Sequence, residues 1–280
     1  MGMGHWNPDW QDIPNFDPAA ESHFIKRPDG SIIHYTTMGE GTPVFMIHGY
    51  YATGDVNWYN NGIAQELAKT NKVIAMDMRG HGKSSKHRRK KYYGENMWRD
   101  AVAVLDNEKA DKVHVHAYSM GGVILNQILY YYPERVISAI HGGSGIFEYD
   151  KEEQKKIIKD IEPTAEIKQE EKAAETVVLK LTDPDHIALQ ALSRNHPDKG
   201  EAKKLDLTKI DIPVFAINGE YDYPNVRTHR MERELKNFKS MILPGKGHLT
   251  AITPGFMPKE YLIETVKFIR EADKEFLKNQ

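Results

Sequence analysis

The chain has no cysteine. Disulfides, thiolate metal sites and a cysteine nucleophile are therefore excluded. It has no excess of one charge either: 38 Lys and Arg stand against 40 Asp and Glu, a formal net charge of −2. The strong basic field that draws a nucleic acid is missing, and no nucleic-acid partner is expected. No apolar run approaches the roughly 18–20 residues that cross a bilayer, so no membrane span is expected. The opening MGMGHWNPDWQDIPNFDPAA lacks the basic start and apolar stretch of a signal peptide, and Trp6 stands where a myristoylation signal has Ser or Thr. As written the chain reads as soluble and cytoplasmic; a secreted chain whose leader had been removed would read the same. What is there is 280 residues, 40% apolar and 28% charged, length enough for a sizeable core in one large domain.

Residues 1–21, rich in Pro, Asn, Asp and Trp without a period, read as an extension packed by its Trp residues. Beyond them short β-rich runs alternate with helical patterns. Strands are expected at 31–37, 43–47, 72–77, 112–117, 136–140, 213–217 and 239–243, several of them nearly continuous apolar runs that suit strands buried on both faces. Helical patterns fall at about 62–69, 97–108, 121–132, 225–236 and 258–277. This alternation predicts an α/β fold with a doubly wound, mostly parallel sheet. It stops over 147–207, a Lys- and Glu-rich segment that reads as three helical stretches. Their breaks fall at Pro163 and at Asp183-Pro184, the latter read as an N-cap followed by proline. The segment is expected to be a solvated helical cap inserted into a core of 22–146 and 208–280.

The strongest chemical signal is H-A-Y-S-M-G-G at 116–122, which ends an apolar strand and opens an apolar helix. A serine at such a turn has its hydroxyl pushed out of the sheet, and its neighbours must be small because strand and helix pass closely. Ser119 is the candidate nucleophile; Ala117 replaces the usual first glycine. A serine hydroxyl needs a base. Most of the 13 histidines are expected to be ordinary core or surface residues. His248, in the L-P-G-K-G-H-L loop after the last strand, is the candidate base. Asp222, in N-G-E-Y-D-Y-P after strand 213–217, is the candidate acid that orients it; Glu220 is second choice and Asp211 third. The I-H-G-Y-Y run at 47–51 supplies the fourth part. Acyl transfer builds charge on a carbonyl oxygen, and the backbone N–H groups of Met120, at a helix N-terminus, and Tyr50 are the candidate oxyanion donors. D-M-R-G-H-G-K-S at 77–84 lacks the phosphate-loop pattern and reads as a loop bracing the active-site face. H-R-R-K-K at 87–91 reads as a solvated loop. His186 and His196 have no metal-ligand spacing, and no metal site is expected.

These segments together resemble the α/β-hydrolase superfamily over roughly residues 22–277. H-G-Y is similar to its oxyanion loop, D-M-R-G-H-G-K-S to its D-x-R-G-x-G-x-S loop, A-Y-S-M-G-G to its nucleophile turn, N-G-E-Y-D to its acid turn and G-K-G-H to its histidine loop. Within the superfamily the chain looks like small bacterial serine esterases with a helical cap after the sixth strand. The resemblance implies a carboxylesterase acting through an acyl-enzyme on a small-molecule ester, with no cofactor. It disfavours haloalkane dehalogenases and epoxide hydrolases, which place Asp where Ser119 stands. The same triad also serves perhydrolysis, carbon–carbon bond hydrolysis, hydroxynitrile lysis or slow-turnover ligand reception, because fold and triad do not fix the substrate. A lipase lid would carry an exposed apolar face; the cap's apolar clusters (Ile157, Ile158, Ile161; Val177, Val178, Leu181; Ile187, Leu192) read instead as cap core. Tyr50 and Tyr118 are expected to line the pocket. Oligomeric state is not legible.

Overall fold

The computed structural model describes residues 6–279. Eight strands form one sheet: β1 (Glu21–Lys26), β2 (Ile32–Met38), β3 (Pro43–Ile47), β4 (Lys72–Met76), β5 (Val113–Tyr118), β6 (Val136–Gly142), β7 (Val214–Gly219) and β8 (Phe238–Leu243). Their spatial order is β1-β2-β4-β3-β5-β6-β7-β8. β2 runs antiparallel to β1 and β4, and every other pairing is parallel. From β3 the chain crosses to β4 on one side and then to β5 on the other. That reversal opens the crevice at the carboxyl ends of β3 and β5 where open α/β sheets bind ligands.

Alternation along each buried strand feeds two cores. Phe45, Ile47, Ile74, Met76, Val113 and Val115 meet α2 (Glu95–Asn107) and α3 (Met120–Tyr131) on one face. Val44, Met46, Val73 and Ala75 meet α1 (Ile63–Leu67) and α9 (Lys259–Lys278) on the other. β1 was not expected from the sequence. Its ESHFIK is half-exposed on both faces, as an edge strand held by one neighbour can be, and so carries no clean alternation. The N-terminal segment packs as expected through its tryptophans: Trp6 donates to the Lys83 carbonyl (3.2 Å) and Lys86 lies over the Trp10 ring.

Between β6 and β7 lie α4 (Lys151–Gln154), α5 (Ala165–Thr182), α6 (His186–Ser193) and α7 (Glu201–Lys204). Three expectations need correction here. The first helical stretch is a single turn. Ile158 and Ile161 beyond it are 74% and 54% exposed, and Leu181 and Ile187 also face solvent, so only part of the apolar set is cap core. The break at 183–185 is also built differently. Asp183 ends α5 in a left-handed conformation (φ 39°), and Asp185 caps α6 by accepting from Ile187 and Ala188 N–H; Pro184 spaces the two ends. In the basic run, His87 is buried against Ser31 (2.7 Å) while Arg88–Lys91 are exposed. α8 (Pro224–Glu234) follows β7. No helix among the described residues is long and apolar enough to cross a membrane.

Five buried histidines are held neutral. Burial pushes His81 and His116 down to about 3 and His87 and His141 to about 4, and lowers His48 as well. An unfolded imidazole protonates near 6.5. Below that value the unfolded chain binds protons that the fold refuses, so stability falls with falling pH. The slope is on the order of 1 kcal/mol per pH unit for each such histidine. Denaturant unfolding at about pH 7.5 and about pH 5.5 should therefore show a steep loss at the lower value; equal stabilities would contradict the neutral, buried assignment.

Candidate active site

β5 ends in Tyr118, and the chain turns into α3 at Ser119, whose φ of 52° and ψ of −115° are rare for a side-chain-bearing residue. The turn is fixed by Ser119 N–H on the Gly142 carbonyl and Gly122 N–H on the Ser119 carbonyl, both 2.9 Å. A Cβ on Gly121 would lie 2.2 Å from the Ile47 carbonyl oxygen, and one on Gly122 1.8 Å from Ser144 Oγ. These contacts are why the sequence stays small after the serine. Ala117 is fully buried in the core beneath it.

Ser119 Oγ lies 2.8 Å from His248 Nε2, and His248 Nδ1 lies 2.8 Å from Asp222 Oδ2. The structure thus brings the three sequence candidates into one hydrogen-bonded row. A carboxylate only accepts, so Nδ1 carries the proton and Nε2 is left to accept from the serine. The other two acid candidates go elsewhere: Glu220 accepts from Gly245 N–H (2.8 Å) in the histidine loop, and Asp211 pairs with Lys236 at the surface. Asp222 is 3% exposed. Its second oxygen accepts from Arg227 (2.7 Å), which also donates to the Asp222 carbonyl.

The H-G-Y loop is held by three partners. His48 Nε2 accepts from Met78 N–H (3.0 Å), so the proton sits on Nδ1 and is donated to the Gly49 carbonyl (2.7 Å). Ala52 N–H also donates to that carbonyl, and Gly49 N–H donates to Asn57 (2.9 Å). The Gly49–Tyr50 peptide is planar and trans, so pinning its carbonyl aims the Tyr50 N–H the opposite way. Among the described residues no acceptor takes the N–H of Tyr50 or of Met120. The D-M-R-G-H-G-K-S loop braces this loop from behind: His81, neutral through burial, donates from Nε2 to the Tyr50 carbonyl (2.5 Å). Asp77 takes N–H groups of Gly54 and Lys83 and a bond from His34. Burial alone would raise the Asp77 carboxyl, but the His34 bond, the fields of His34 and His48 and the Lys83 N–H together outweigh it and hold the carboxyl far below the usual range.

Ser119 and His248 open into a cavity of about 360 Å³, lined by apolar groups of Tyr51, Ala52, Leu249 and Ile252 and, from the cap helix α5, by Glu171 and Val178. Glu171 and Val178 are seven residues apart and share one helix face. Tyr118 and Tyr50 both border it, but their hydroxyls are used elsewhere. Tyr118 donates to the His248 carbonyl (2.5 Å), and burial keeps its phenol protonated; Tyr50 donates to the Leu189 carbonyl of α6 (2.8 Å). Sequence reasoning missed Asn57, Arg227 and Glu171. Their partners lie 5 to 79 residues away, and no motif marks them.

A family model described as "alpha/beta hydrolase fold" matches residues 42–174. The chain is 34% identical over 112 residues to the dihydrolipoyllysine-residue acetyltransferase component of the acetoin cleaving system of Pseudomonas putida, covering 39% of this chain and 29% of that one. It is 37% identical over 108 residues to 2-hydroxymuconate semialdehyde hydrolase of a Pseudomonas species, covering 38% of each. The chain thus spans less than two fifths of the length of these curated relatives. A crystal structure of a putative aryl esterase from Burkholderia cenocepacia superimposes with a TM-score of 0.67 at 19% identity, covering 90% of this chain and 99% of that one. With its sheet order and its site at the carboxyl edge, the chain has the α/β-hydrolase fold.

Proposed function

We propose that the chain is a carboxylic-ester hydrolase working through an acyl-enzyme on Ser119. The observation that carries this reading is the row Ser119 Oγ, His248 Nε2 and Nδ1, Asp222 Oδ2, with both spacings at 2.8 Å, opening into an apolar cavity. Ser119 Oγ attacks the ester carbonyl carbon as His248 Nε2 takes its proton. Collapse of the tetrahedral intermediate breaks the bond to the leaving alcohol, which receives that proton. Water then attacks the acyl-enzyme with His248 again as base, releasing the acid and restoring Ser119. Asp222 orients the imidazole and stabilises its charged form. The N–H groups of Tyr50 and Met120 receive the oxyanion, each donor being worth about 2.7–4 kcal/mol in the transition state. A serine in this place speaks for acyl transfer over epoxide opening, which in the superfamily runs through a carboxylate nucleophile. The cavity of about 360 Å³ suits small to medium acyl groups. Cleavage of a carbon–carbon bond by the same row is the second reading, favoured by the likeness to a relative named for a semialdehyde.

Hydrolysis of a p-nitrophenyl ester series from acetate to laurate tests the assignment. Ser119→Ala should lower kcat at least about 10⁴-fold, since the row acts as a unit; loss of less than about tenfold would remove Ser119 as nucleophile. Absence of ester turnover by the folded wild type would favour the second reading. Val178→Phe fills the cap side of the cavity. It should cut kcat/KM at least about tenfold for the longest accepted chain while leaving acetate within about threefold. A uniform loss along the series would place the acyl chain elsewhere.

A further inference from the structure

The cap does more than roof the cavity. Two of its carboxylates reach down to the backbone within four residues after His248 and Asp222. Glu171, on α5, accepts from Leu249 N–H through Oε2 and from Thr250 N–H through Oε1, both at 2.8 Å. Leu249 directly follows His248 and begins a helical turn closed by Thr253 N–H on its carbonyl (2.8 Å). Glu171 therefore caps that turn from 78 residues away, with charge-assisted bonds of the stronger kind. On the other flank, the His248 carbonyl is held by Tyr118 Oη. The histidine's main chain is thus fixed from the sheet on one side and from the cap on the other.

The acid turn has a matching support. α8 starts two residues after Asp222, and its N-cap residue Tyr223, at φ 50°, makes no side-chain cap bond. Asp160, between α4 and α5, supplies the missing cap by accepting from Asn225 N–H (2.8 Å) and Val226 N–H (3.1 Å). A carboxylate is favoured at that end of a helix.

Resting on the acyl-transfer reading of the Ser119 row, we propose that Glu171 and Asp160 are positioning residues. They tie the seating of the cap to the alignment of His248 and Asp222, so that the row is in register only while the cap is docked. Gly247 belongs to the same device. A Cβ there would lie 2.6 Å from the Glu171 carboxyl carbon, so the residue before His248 must be bare for the carboxylate to close. Its φ lies outside the left-handed region, so an alanine there adds no backbone strain, and the three atoms nearest its Cβ all belong to Glu171.

The test uses the full chain and two readouts: the rate at which a fluorophosphonate labels Ser119, which needs an aligned row but no particular substrate, and kcat and KM on the best p-nitrophenyl ester. Glu171→Ala should lower the labelling rate and kcat on the order of 10²-fold, the scale of a small misplacement, with KM changed less than about threefold. Glu171→Gln, which keeps one acceptor oxygen, should recover part of the loss. Gly247→Ala should lose activity similarly and add little to Glu171→Ala, because both act through one contact. Asp160→Ala should move both readouts in the same direction, and exposed Glu170→Gln should match the wild type. Labelling of Glu171→Ala at the wild-type rate, a loss confined to KM, or losses from Gly247→Ala and Glu171→Ala that multiply would each overturn the proposal. Should Glu171→Ala fail to fold, Glu171→Gln and Gly247→Ala carry the same comparison. A wild type that labels but hydrolyses no ester would sink the ester reading and leave the positioning test decisive; a wild type that does not label would remove the Ser119 nucleophile and this proposal with it.

Discussion

The close passage of backbone at Ser119 governs the geometry around it. A residue with a Cβ held at φ 52° costs on the order of 1–3 kcal/mol and persists only where its surroundings over-determine it. Here β3, β5 and β6 do so. Gly121 lies against the Ile47 carbonyl, Gly122 against Ser144, and a Cβ on Gly142 would strike the Tyr118 ring and the Tyr261 hydroxyl. The strain sits on the residue whose hydroxyl must clear the sheet. Its consequence is a serine presented to His248 by the most deeply buried strands of the fold.

A second regularity concerns how the loops around that serine are held. Carboxylates grip backbone N–H groups across separations of 6 to 79 residues: Asp77 on Gly54 and Lys83, Glu220 on Gly245, Asp160 on Asn225 and Val226, and Glu171 on Leu249 and Thr250. Loops at a sheet edge leave N–H groups without ladder partners, and a buried unpaired donor is costly. The carboxylates of Asp77, Asp160 and Glu171 each satisfy two at once. Neutral histidines play the complementary part, since His48 and His81 use single protons to fix the two carbonyls that flank Tyr50 N–H. The candidate oxyanion donor is thereby aimed by groups that need not move during the reaction.

The sequence shows some parts of this arrangement and hides others. Strands buried on both faces appear as apolar runs; the turns after two of them carry Ser119 and Asp222, and the loop after the edge strand β8 carries His248, at positions a local pattern can mark. The edge strand β1 has no such run. The cap segment between α4 and α5 has helical composition but lacks a surface to bury Ile158 and Ile161, and composition alone does not reveal that. The break at 183–185 looks like one cap because Asp183 and Asp185 flank one proline; only φ tells the helix end from the next beginning. Asn57, Arg227, Glu171 and Asp160 act on residues reached through space, and K-Q-E-E-K-A-A reads as a solvated stretch until α5 is seated over the cavity.

The most direct measurement is intact-mass and peptide mass spectrometry of the protein quenched during turnover of p-nitrophenyl acetate. The account predicts a mass gain of one acetyl group, mapped to Ser119, that appears in the wild type and is absent from Ser119→Ala. Turnover with no acetylated enzyme, or acetyl mapped to another residue with Ser119 unmodified, would contradict it.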